Sequence, residues 1–150
     1  EVKLYIIKEF QRLKIQETEQ VEWQGKRLLT KLNYLIHTDA IKKYLVPIEL
    51  TTEQKNSVYA SEADLLNVAL FGKTAKEWRN ENKGKKGNMR DYASHIELAI
   101  LSNIEYENAK LIEEGKLKQE RLILLNAEAN REKEVFNKNY NLTPIFRITD

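Results

Sequence analysis

Thr51 with Gln54, Thr74 with Glu77, and Ser94 with Glu97 each set a serine or threonine three residues ahead of a glutamate or glutamine. Such a pair lets the first side chain accept from an orphan backbone N–H at a helix start while the second reaches back to the cap, so each marks a helix N-terminus. Against these starts the sequence sets only five glycines and two prolines, and it carries 32% charged residues, the mixture that long helices with solvated faces require. Alternating strand patterns are scarce. The expected fold is all-α, a multi-helix domain of five or six helices with a basic helix-loop-helix segment.

The periodicity fills in the helices between those marks. In "EVKLYIIKEFQRLK" the residues Val2, Ile6, Phe10 and Leu13 recur at spacings of four, four and three, which lines one face. A second run from about Val21 to Leu45 puts Leu28, Leu32, Leu35 and Ile36 on one face, has Gly25 as a weak point, and ends ahead of Pro47. The helix opened by Thr51 stops at Gly72, a residue suited to the left-handed position after a helix end. Thr74 starts a short helix carrying Trp78, "NKGKKGN" is a loop, and Ser94 opens a helix whose expected buried face is Leu98, Leu101, Ile104, Leu111 and Ile112, up to Gly115. A last helix from about Lys118 to Asn137 buries Leu122, Leu125 and Ala129. The expected organisation is a closing helix at 1–16, a connecting helical segment at 17–50, an accessory helical domain at 51–139, and an extended or disordered tail at 140–150.

At 150 residues the chain fits one domain, burying about 70% of its unfolded surface by size alone. There is no cysteine, which excludes disulfides, thiolate metal sites and thiol nucleophiles, and fits a cytoplasmic location. No apolar run approaches the roughly 20 residues of a membrane span, and no signal peptide is visible, so no membrane partner is expected. The chain opens on Glu1 inside what reads as a helix already under way, which suggests a piece of a longer protein. Its net charge of +2 is a small difference between 25 basic and 23 acidic side chains, so the distribution of charge has to say what the total does not.

"GKT" at residues 72–74 resembles the end of a phosphate-binding loop, but the position that would need glycine is Asn67, inside an amphipathic helix, so Gly72 and Thr74 read as helix punctuation. The two histidines, His37 and His95, are far apart and neither has a second ligand at helical spacing; no metal is expected. Glu62 with Asp64 and Glu105 with Glu107 stand two apart, on opposite sides of their helices, and read as solvated faces. No catalytic residue is assigned, an enzyme is not expected, and neither cofactor nor small-molecule substrate is implied.

What remains is "LFGKTAKEWRNENKGKKGNMRDYAS", which places Lys73, Lys76, Arg79, Lys83, Lys85, Lys86 and Arg90 against two glutamates, Glu77 and Glu81. Lysines on a glycine-containing loop between helix ends can approach phosphates, and Trp78 could stack on a base, which together make a nucleic-acid footprint. A tryptophan on a short helix more often fills a core, and that is the role expected of Trp78. For the loop, a solvated turn and a phosphate contact both fit the residues.

"VKLYIIKEFQRLK" resembles the closing helix of the KilA-N domain, a DNA-binding module of phage, bacterial and large DNA virus proteins. "SEADLLNVALFGKTAKEWRNENKGKKGNMRDYASHIELAILSNIEYENAKLIEEG", with "ERLILLNAEA" after it, is similar to the helical region that follows that domain in bacterial and prophage members, and "LIHTDAIKKYLVP" joins the two matches. The longer match covers about half the chain. The body of the KilA-N domain, with its DNA-reading elements, would lie before Glu1, so no base-reading residue carries over. The resemblance implies an accessory helical region of a DNA-binding protein, with DNA and a second copy of the chain as expected partners, and it assigns no catalytic residues. The alternative is a structural interaction or dimerisation module without a nucleic-acid contact of its own.

Overall fold

A computed structural model of the chain describes residues 1–141. It is built of helices alone, in the order α1 (Val2–Tyr44), α2 (Thr52–Phe71), α3 (Ala75–Glu81), a single-turn 3-10 helix (Met89–Tyr92), α4 (His95–Glu113) and α5 (Lys118–Asn141). The all-α expectation holds, and no helix among the described residues is long and apolar enough to cross a membrane. The expected tail begins at 140, but Tyr140 and Asn141 close α5; the remainder lies outside the described residues.

All three predicted helix starts form. Thr51 and Gln54 make the full reciprocal box, as do Ser94 and Glu97. Thr74 caps α3 by accepting from Glu77 N, while its hydroxyl donates to the Glu77 carboxylate instead of the glutamate reaching the cap backbone. Gly72 ends α2 with φ 77, a left-handed turn that would strain a side chain. That turn is what "GKT" encodes.

The chain divides into two units, Glu1–Leu32 and Asn33–Asp150. No helix break marks the expected boundary at 16/17; α1 runs through it. The first unit is the N-terminal part of α1 and nothing else, and its apolar stripe is exposed, from 51% at Leu13 to 74% at Val2. A single helix has no second layer to bury a stripe against.

In the second unit α2, α4 and α5 pack together, and the core is Leu65, Leu66, Ala69 and Leu70 from α2, Ile100, Leu101 and Ile104 from α4, and Leu125 and Ala129 from α5. Each fully buried aliphatic side chain contributes about 1.5–3 kcal/mol. Ile100 turns inward where Leu98 was expected to; Leu98 stays exposed. A smaller cluster joins Ala40 and Ile41 of α1 to Ala109 and Ile112 of α4. Here the expected face of α1 is corrected. Leu35 remains exposed and Ile36 is half-buried, while Asn33, His37, Ala40 and Ile41 form the buried row. The row is set by what it meets on α4: Asn33 Nδ2 donates to Ser102 O at 3.1 Å and to Ser102 Oγ at 2.9 Å.

Candidate nucleic-acid interface

The segment between α2 and α4 is tied down at several points. Asp64 Oδ1 on α2 accepts from Ala75 N at 2.9 Å, anchoring the first turn of α3. Asn82 Nδ2 closes α3 on Trp78 O at 2.8 Å. A box that the sequence reading did not pick out follows: Asn88 Oδ1 accepts from Arg90 N and Asp91 N, and Asp91 Oδ2 accepts from Asn88 N at 2.8 Å. Gly87, with φ 88, is the only residue type that fits beside it, because a Cβ there would stand 2.5 Å from Asp91 Oδ2. Tyr92 gathers the loop from below. Its hydroxyl donates to Lys86 O at 2.7 Å, its ring lies 5.4 Å from that of Trp78, and Lys85 Nζ sits 5.3 Å over its face.

Lys83, Lys85 and Lys86 are therefore exposed side chains on a loop whose backbone is held at Asn82, Lys86 and Asn88. Lys76 and Arg79, three apart and so on one face of α3, are exposed as well. Lys73 is half-buried and paired with Glu81. Arg90 does not join this set. Its Nε reaches Asn67 Oδ1 at 3.3 Å, its Nη2 reaches Ala63 O at 3.5 Å, and its Nη1 lies 3.7 Å from Glu105. Trp78 is buried, in the core role expected of it.

The carboxylates give the clearest departure. Glu62 and Glu105 are buried at 3% and 6% exposure, and neither belongs to a solvated face. Glu62 takes both arms of the Arg121 guanidinium, Nη1 to Oε1 and Nη2 to Oε2 at 3.2 Å. Arg121 Nη1 also donates to Asn108 Oδ1 at 2.9 Å, and Asn108 Nδ2 reaches Glu62 Oε1 at 3.2 Å and His37 Nε2 at 2.8 Å. Four helices meet in this cluster. A signal for it existed, because each polar member stands on the apolar row of its own helix: Asn108 midway between Ile104 and Ile112, Arg121 four before Leu125, Glu62 three before Leu65. Burial lowers the His37 pKa to about 4, with Glu62 opposing and Arg121 and Arg90 adding to the effect; burial raises Glu105 to about 7 against the pull of Arg90. Among the described residues no group of three His, Asp or Glu side chains converges as a metal site would.

Compared with known proteins, the chain matches no family model, no curated protein and no solved structure.

Proposed function

We propose that this chain is the accessory helical region of a KilA-N-like DNA-binding protein of bacterial or prophage type, acting in the cytoplasm and adding a phosphate contact through the loop that carries Lys83, Lys85 and Lys86. The observation that carries this reading is the presentation of those lysines. They stand exposed on a backbone fixed by the Asn88–Asp91 box and by Tyr92, so little ordering is needed when a phosphate arrives. Lys76 and Arg79 extend the same positive field along α3. Such contacts position a protein on DNA without reading its bases, in keeping with a region that supports a reading domain elsewhere.

Fluorescence anisotropy with a labelled duplex tests it. Binding should be weak at low salt, and each neutralised phosphate should add about −0.9 to the slope of log affinity against log salt. The K83E/K85E/K86E variant should lose affinity equally for unrelated duplexes. Binding as tight as the parent's would reduce the loop to a solvated turn.

A second reading rests on a separate observation, the exposed row of Val2, Ile6, Phe10 and Leu13 on α1. Such a row favours assembly into a homodimer. Light scattering at micromolar concentration giving a mass near the monomer's 17.7 kDa would reject it.

A further inference from the structure

A cleft of about 520 Å³ lies in the second unit, lined by residues of α1, α2 and α4 together with Arg90, and none of the basic-loop lysines contributes to it. Ile41 and Leu66 supply apolar lining, Tyr34 and Tyr59 supply rings, and His37, Arg90 and Glu105 supply polar groups. Its size falls within the roughly 300–1,000 Å³ usual for small-molecule sites.

Two of these polar groups are more than nine-tenths buried and incompletely bonded. Glu105 has its nearest cationic partner, Arg90 Nη1, at 3.7 Å, beyond hydrogen-bond distance, and no closer donor is found among the described residues. His37 is fixed by the cluster behind it. Arg121 holds Asn108 Oδ1, so the Asn108 amide nitrogen faces Glu62 and His37 Nε2 and must donate to both. Nε2 is then the acceptor of a neutral imidazole, which puts the ring proton on Nδ1, where no acceptor is found among the described residues. Every fully buried side-chain nitrogen or oxygen among those residues does have a partner. The Glu105 oxygens and His37 Nδ1 therefore keep contact with solvent, and the cleft is the open space both residues line.

The lining of the cleft thus includes one side-chain acceptor, Glu105, and one donor, His37 Nδ1–H. Once Glu105 is ionised, above its raised pKa of about 7, Arg90 offsets its charge and the polar wall carries no net charge to attract an ion. We propose that this cleft binds a small, uncharged, planar molecule with a lactam edge, an N–H beside a C=O as in uracil or guanine, Glu105 accepting from the N–H and His37 Nδ1–H donating to the carbonyl. The Tyr34 and Tyr59 rings give the planar body surfaces to lie against. This assignment is independent of the phosphate-binding loop.

Uridine and guanosine, with 3-methyluridine as the control whose lactam N–H is blocked, test it on the full 150-residue chain by amide chemical shifts. Uridine or guanosine should saturably shift the resonances of Tyr34, His37, Tyr59 and Glu105, and 3-methyluridine should not. Glu105→Leu should weaken binding by roughly tenfold or more while the fold is kept, because a carboxyl without a bonded partner is replaced by an apolar side chain of similar size. Tyr34→Ala, at a half-exposed position, should weaken binding with no change in helix content. K83E/K85E/K86E should bind uridine as the parent does. A short oligouridine separates a free ligand from a base presented on a strand: tighter binding than uridine through the same residues assigns the strand, and equal binding the free molecule. Absence of saturable shifts at millimolar nucleoside, or shifts that survive N-methylation or Glu105→Leu, would overturn the proposal.

Discussion

The turn carrying Lys83, Lys85 and Lys86 and the interior cluster of His37, Glu62, Asn108 and Arg121 are both dense in polar groups, yet they obey opposite rules. The turn is assembled from neighbours in sequence, and its charges stand in water, where each is screened and contributes little to stability while their sum adds to the field at the surface. The cluster is assembled from four helices, with partners 13 to 71 residues apart, and none of its members can be charged or polar alone without cost. The turn can change residue by residue. The cluster has to be kept or lost as a unit, and it fixes how α1, α2, α4 and α5 meet.

The largest expected effect follows from cutting the cluster at its only cation. Arg121→Met keeps the length of the side chain but leaves the Glu62 carboxylate buried with no counter-charge, which should cost about 3–5 kcal/mol in urea denaturation. The double variant Glu62→Gln with Arg121→Met should recover part of that loss, since the stranded charge is gone. A cost for Arg121→Met no greater than that of an exposed lysine change would erase the distinction drawn above.

Trp78→Ala comes next and sharpens the boundary between the two regions, because Trp78 reaches the basic turn through Tyr92. Its ring is buried and packs on Tyr92, which in turn holds Lys86 O and lies beneath Lys85. Truncation should cost about 3 kcal/mol and loosen the loop with it. A melting temperature equal to the parent's would mean that the ring is not part of the core.

These two cases also show what the sequence made legible. Helix starts were visible because a cap is a local contract between residues three apart, and the three expected boxes at Thr51, Thr74 and Ser94 all became N-termini. Leu125, Ala129, Leu101 and Ile104 were visible because each stands on an apolar row at helical spacing, and the rows of α4 and α5 meet that of α2. The interior cluster was not, because Glu62 and Glu105 look like any helix-surface glutamate until α4 and α5 are placed against α2, and reading them two by two with Asp64 and Glu107 sent both to solvent. On α1 the face was missed for the same reason: Leu28, Leu32 and Leu35 outbid Asn33 and His37 in hydropathy, but Ser102 and Asn108 select the polar row. Arg90 was grouped with the loop lysines by position, and its bonds to Asn67 and Ala63 depend on α2.

Acidity probes the interior side of the comparison. Glu105, raised by burial from 4.5 to about 7, stays protonated in the fold while the unfolded chain ionises, so its contribution to stability falls as pH rises from 4.5 to 7. His37, lowered by burial from 6.5 to about 4, stays neutral in the fold while the unfolded chain takes a proton, so its contribution falls as pH drops from 6.5 to 4. The two slopes have opposite signs and nearly cancel between 4.5 and 6.5. Parent stability should change little there on their account. Glu105→Leu removes one slope and should reveal the other, a gain on the order of 3 kcal/mol from pH 4 to 6.5 relative to the parent's profile. Parallel profiles for the two proteins would show that Glu105 titrates as it does in water.

The smallest expected effect on stability belongs to the lysines. In K83E/K85E/K86E three exposed charges reverse on a loop whose backbone bonds run through Asn82, Asn88, Asp91 and Tyr92, none of which changes. The one side-chain contact affected is Lys85 over the Tyr92 ring, an exposed cation–π pair worth about 0.5–1 kcal/mol, and glutamate there meets the negative face of the ring instead. The combined change in unfolding free energy should therefore stay near 1 kcal/mol, with helix content the same by circular dichroism. Raising the salt concentration should narrow even that gap, because the reversed charges are screened within about 10 Å at 0.1 M. A loss as large as that of Arg121→Met would mean that the turn, like the interior, is held together by its charges, and the lysines would then be structural groups with no surplus field to offer a phosphate backbone.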